Sequence, residues 1–135
     1  MQKILMFIRL LVSSLFASLH DKSVIVYYGE DISYPLVGIH DYIIVEPDHI
    51  NTYTHGFSLY KKNIYAYVSI GELDPNSSVH NSIDSSWVVA KNRGWKGDVL
   101  DIRDRDYQEF IFKSQIEPLI KEGFQNFFFD TLDSY

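Results

Sequence analysis

Gly123-Phe124-Gln125-Asn126-Phe127-Phe128-Phe129-Asp130-Thr131-Leu132-Asp133-Ser134-Tyr135 joins a glycine, three consecutive phenylalanines and two carboxylates in one short run. An apolar stretch without polar alternation predicts a parallel strand covered on both faces. The acids follow where such a strand ends, and α/β folds build their active sites at the C-terminal ends of strands. Asp130, Asp133 and Tyr135 are therefore candidate functional residues.

Working back along the chain, three more segments read the same way. Ser23 to Gly29, Tyr42 to Asp48 and Asn63 to Glu72 are rich in β-branched and aromatic residues, as strands are. Pro47 stops the second of them, because proline cannot donate to a central ladder. The third is expected to be apolar on both faces and to run to Glu72. A weak helix is expected over 51–62. Leu73 to Ser86 is rich in Asp, Asn, Ser and Pro and predicts a long loop. Trp87 to Asn92 fits a short strand or turn, and Val99 to Arg103 a short strand. Asp104 or Asp106 can cap a helix running to about Glu122, with an apolar stripe at Phe110, Ile111, Ile116, Leu119 and Ile120. Pro118 predicts a kink or a restart in it, and Gly123 a C′ stop. Strands alternating with helical crossovers predict an α/β fold with a parallel sheet.

The chain has 135 residues, 46% of them hydrophobic and 22% charged. That is enough for one sizeable core and gives no sign of disorder. A formal net charge of −6 argues against a nucleic-acid surface. Without cysteine there is no disulfide framework, thiolate metal site or cysteine nucleophile. The five histidines show no metal-ligand spacing, and no phosphate loop, dinucleotide fingerprint or nucleophile elbow occurs. Residues 1–22 begin Met1-Gln2-Lys3 and continue as a short apolar run through Ala17. This pattern predicts an export signal, or else an N-terminal membrane anchor or an ordinary first helix. The expected domain is residues 23–135, secreted or periplasmic, with membrane contact only through the leading segment.

In a parallel sheet all strand C-termini share one rim. Tyr28, Glu46, Glu72 and Asp130 would then surround one mouth, with Asp133 and Tyr135 close behind. Each acid also has a structural use, since strand-to-loop junctions favour Asp for turns and caps. Paired carboxylates are what glycosidic cleavage requires, one to protonate the leaving oxygen and one to attack or to activate water. Trp87 and Trp95, flanking a turn in a polar region, are candidates for a sugar-binding lip. Asp101 and Arg103 belong to an alternating-charge run that reads as a solvated face or an ordering ion pair.

Tyr27-Tyr28-Gly29, Tyr67-Val68-Ser69-Ile70-Gly71-Glu72, Trp95 with Gly97 to Arg103, and Gly123 to Tyr135 together resemble the endo-α-1,4-polygalactosaminidase-type glycoside hydrolases. They are similar also to the hydrolase domain of Pel-polysaccharide-processing proteins. The resemblance spans residues 23–135. It implies the N-terminal half of a (β/α)8 TIM barrel with its active site at the C-terminal rim of the strands. It further implies endo-cleavage of galactosamine-containing polysaccharide without a cofactor. Asp130 matches the catalytic aspartate of the fourth strand, and Glu72 a position in the substrate cleft. The family's second catalytic acid, a glutamate, lies on a later strand outside this sequence. The expectation is a partial hydrolase, inactive or weakly active alone, completed by a C-terminal half-barrel or a second copy. The alternative is a non-catalytic amino-sugar-binding or assembly module.

Overall fold

The computed structural model describes residues 22–132. The expectations for residues 1–21, and for Asp133 and Tyr135, lie outside that range. In chain order the elements are β1 (Val24–Tyr27), α1 (Tyr34–Val37), β2 (Tyr42–Val45), α2 (His55–Tyr60) and β3 (Ile64–Ser69). There follow β4 (Glu72–Leu73), β5 (Val88–Lys91), β6 (Asp98–Leu100), α3 (Arg105–Ile111), α4 (Glu117–Glu122) and β7 (Asn126–Asp130).

β1, β2, β3 and β7 form one sheet in that order, and every pairing is parallel. Val24 pairs with Tyr42, Val45 with Ala66 and Ser69 with Asp130, so the four C-terminal ends do share a rim. Register also sorts the side chains. Ile43, Val45, Ile64 and Ala66 point to the helical side, where they are buried with Val37, Phe57 and Phe124. Phe57 and Phe124 meet edge to face at 5.2 Å, the geometry the ring quadrupoles favour. The opposite face carries Val24, Val26, Ile44, Tyr65, Tyr67 and Phe128. No layer of described residues covers it, and Val24 and Val26 are more than half exposed.

The phenylalanine run is a strand, but it is not buried on both faces. Phe128 and Phe129 are 39% and 43% exposed, because β7 has β3 on one side and no described strand on the other. β3 is shorter than expected and alternates buried and half-buried residues. The chain leaves the sheet at Ile70-Gly71, and Glu72 opens a different element. β4, β6 and β5 form a small antiparallel sheet with a register shift between Val88 and Ala90. Its core joins Leu73 and Leu100 to Tyr107 and Ile111. The buried Tyr107 hydroxyl donates to the Ile70 carbonyl at 2.6 Å and so ties this unit to the end of β3.

Asp104 caps α3 as expected, accepting from the backbone of Asp106 and Tyr107 at 2.8 and 3.0 Å. The helix restarts near Pro118, after a π-helical turn over Phe112–Ile116 that links α3 to α4. Pro118 falls in the first turn of α4, where its missing N–H costs least. Gly123 stops α4 at φ +107°. Gly123 N–H donates to the Ile120 carbonyl and Phe124 N–H to that of Leu119, as in a Schellman motif.

Candidate active site

Asp130 closes β7 opposite Ser69. The Tyr67 hydroxyl donates to Asp130 Oδ2 at 2.8 Å. Tyr67 and Asp130 point to the uncovered face of the sheet, and Tyr67 is wedged between Tyr28, edge-on at 5.6 Å, and Phe128, stacked at 6.3 Å. Burial pushes the Tyr67 phenol far above its ordinary value, and the hydrogen bond to Asp130 adds to the shift. The phenol therefore stays protonated and remains a donor to the carboxylate.

Thr131 forms the joint between the two sheets. It holds a left-handed conformation at φ +63°, rare for a β-branched residue. Its Oγ1 accepts from Gly71 N–H at 2.9 Å and Glu72 N–H at 3.0 Å. Ser69 Oγ lies 2.9 Å from the same atom and donates to the Glu72 carbonyl at 2.7 Å. Gly71 allows this approach, since a Cβ there would lie 1.8 Å from the Thr131 carbonyl oxygen. Glu72 is thus carried at the start of β4, stitched to the end of β7 by backbone donors. Asn92 Nδ2 spans its two carboxylate oxygens at 3.0 and 3.1 Å.

Glu46 follows β2 and is half-buried. Burial raises its carboxyl above the ordinary glutamate range, and repulsion from Asp48 adds to this. The folded protein therefore holds the Glu46 proton more tightly than the unfolded chain. The stability this contributes is present below the ordinary glutamate value and is lost as pH rises through the raised one. Glu46→Gln should lose less stability than wild type as pH rises from about 4 to about 8. Urea midpoints across that range check it, and parallel curves for the two proteins would count against the assignment. Tyr28, more than half exposed, has its phenol raised by burial first and then by the charges of Asp130 and Glu46.

A cavity of about 860 Å³ opens along this rim. Glu46, Asp48, Glu72, Asp74, Glu122 and Asp130 line it together with Tyr67, and no Lys, Arg or His is among its described lining residues. The structure thus brings Glu46, Glu72 and Asp130 to one cavity, with Tyr28 against its Tyr67 wall. Trp87 is not a lip residue. It packs at 5.6 Å from Tyr107 and 5.3 Å from Phe110 in the second core. Trp95 lines the cavity. Arg103 and Asp101 form a two-bond ion pair at 2.7 and 2.9 Å on the surface. His80 and Lys91 both contact the buried Asp98, at 3.1 and 2.7 Å, and lower its pKa, Lys91 the more.

Tyr67, Thr131 and Asn92 were not anticipated as site residues. The period-2 alternation of Tyr65, Tyr67 and Ser69 along β3 is the signal that places Tyr67 on the face of Asp130. Nothing near Thr131 or Asn92 in the sequence shows what they hold.

No curated protein matches the chain. Among solved structures it is similar to the glycoside hydrolase domain of PelA from Pseudomonas aeruginosa, at 26% identity and a TM-score of 0.67. A variant of the same domain is similar at 25% identity and a TM-score of 0.66. Both alignments cover 83% of this chain and 45% of the other. The chain therefore spans less than half the length of those domains, and its sheet is the first half of a (β/α)8 barrel. Residues 58–135, which hold β3, the antiparallel unit, β7 and their joint at Thr131, match glycoside-hydrolase family GH114. With more than half of the sequence inside that match, the chain belongs to the GH114 family of glycoside hydrolases.

Proposed function

We propose that this chain supplies the substrate cleft and one catalytic carboxylate, Asp130, of an exported endo-acting hydrolase of galactosamine-containing polysaccharide. The observation that carries the reading is the cavity, whose described lining holds six carboxylates and no basic side chain. Such a lining attracts a polymer of ammonium-bearing sugars and disfavours an anionic one. Glu72, Glu46, Tyr28, Asp133 and Tyr135 serve the substrate, while Asp130 acts on the glycosidic bond. The second acid comes from the other half of the barrel. The outer edges of β1 and β7, which no described strand pairs, and the face between them, which no described residues cover, are where four further βα units would join. The basic start and apolar run at the N-terminus support export. The open edges also favour a second reading of the four strands alone, which would hold amino sugar without cutting it.

The test joins this chain to the βα units that close the barrel and offers α-1,4-linked galactosamine polymer and its N-acetylated form. New reducing ends are expected from the free-amine polymer, fewer as salt screens the attraction. Equal cleavage of both polymers would remove the charge argument. No cleavage of either would remove the hydrolase.

A further inference from the structure

We propose that Trp95 is the stacking face of a saccharide subsite beside Glu72, and that Asn92 is the positioning residue that keeps the two in register. This rests on the cleft reading above and names a binding surface within it.

The two tryptophans have opposite fates. Trp87 lies among aromatic rings in the second core, whereas Trp95 is 83% exposed at the tip of the β5–β6 hairpin. Leaving an indole in water forgoes the stabilisation its burial would bring. Yet Trp95 lines the same cavity as Glu72 and Asp130, and the turn that carries it is built tightly. Asn92 N–H donates to the Gly97 carbonyl at 2.9 Å and closes the hairpin. Asn92 Oδ1 accepts from Gly94 N–H at 2.9 Å, while its Nδ2 reaches both oxygens of Glu72. Lys96, next to Trp95, is held at φ +60°, a conformation a lysine seldom adopts without constraint. Gly97 lets the hairpin lie close over β4, since a Cβ there would come 3.1 Å from the Leu73 carbonyl and 3.7 Å from Glu72 Oε2.

One amide side chain therefore ties the turn that carries the exposed indole to the carboxylate. A pyranose presents matching chemistry, with an apolar C–H face for the ring and a polar edge for the acid. On a galactosamine unit that edge carries hydroxyls and an ammonium group, both donors to Glu72.

The experiment titrates the 135-residue protein with an α-1,4-linked galactosamine tetramer, reading affinity by calorimetry and Trp95 by acrylamide quenching. The sugar should shield the accessible indole from acrylamide. Trp95→Ala should weaken binding about tenfold, the scale of one lost aromatic face, and Trp95→Phe should recover part of it. Asn92→Ala should weaken binding while its circular dichroism spectrum stays native and Trp95 emission becomes more depolarised. Unchanged affinity in Trp95→Ala, with affinity lost in Glu72→Gln, would overturn the subsite and leave the acidic cleft standing. No binding by the wild-type protein would overturn both.

Discussion

Asp130→Asn, in the closed barrel, is expected to lower kcat by about 10²–10⁴-fold, the range that proton transfer by one positioned group contributes. KM should change little, because asparagine keeps the shape and its Oδ1 can still accept from the Tyr67 hydroxyl. What it loses is the charge and the capacity to give up or take up a proton, and those matter at the reacting bond rather than in holding the ground state. Steady-state kinetics on the galactosamine polymer would measure this. Unchanged turnover would move the catalytic role to another rim acid, with Glu46 the first to test because its raised pKa suits a proton donor. The stereochemical outcome is open to geometry. A partner carboxylate about 5–5.5 Å from Asp130 implies retention of configuration, and one about 6.5–9.5 Å away implies inversion.

Gly71→Ala is expected to have the largest effect on stability, a loss of about 3 kcal/mol or more, at the upper end of what overpacking produces. The methyl group would lie 1.8 Å from the Thr131 carbonyl oxygen, a backbone atom with no rotamer in which to retreat. Separating the strands to admit it would break the hydrogen bonds from Gly71 and Glu72 to Thr131 Oγ1. It would also draw Ile70 N–H away from the Asp130 carbonyl. Asp130 and Glu72 would then lose their common frame, so sugar binding should fall along with the urea midpoint. An unfolding free energy within about 0.5 kcal/mol of wild type, the usual range for innocuous surface changes, would show that the joint is looser than its distances indicate.

Much of this architecture was legible in the sequence because it is written in local chemistry. Pro47 ends its strand by lacking a donor, Asp104 caps its helix with a carboxylate, and Gly123 ends α4 in a conformation that suits glycine. The four strands announce themselves by β-branched and aromatic residues. Their alternation with crossovers leads to a parallel sheet with one shared rim, and so to Glu46 and Asp130 on the same rim. The end of β3 is not legible, because Ser69-Ile70-Gly71-Glu72 is as strand-like in composition as the residues before it. What breaks the strand is the approach of Thr131, some sixty residues later in the chain.

The sequence by itself determined the alternation of the four main strands with crossovers, the acids Glu46 and Asp130 at strand ends, and boundary residues such as Pro47, Asp104 and Gly123. All of these follow from the preferences of a residue and its near neighbours. Only the tertiary structure decided which tryptophan is core and which faces the cavity, which face of the phenylalanine strand stays open, and which side chains hold the acids. Tyr67 meets Asp130, Asn92 meets Glu72 and Thr131 meets Gly71 across separations of 63, 20 and 60 residues. Contacts at that range depend on strand register and sheet edges, which exist only once the chain has folded.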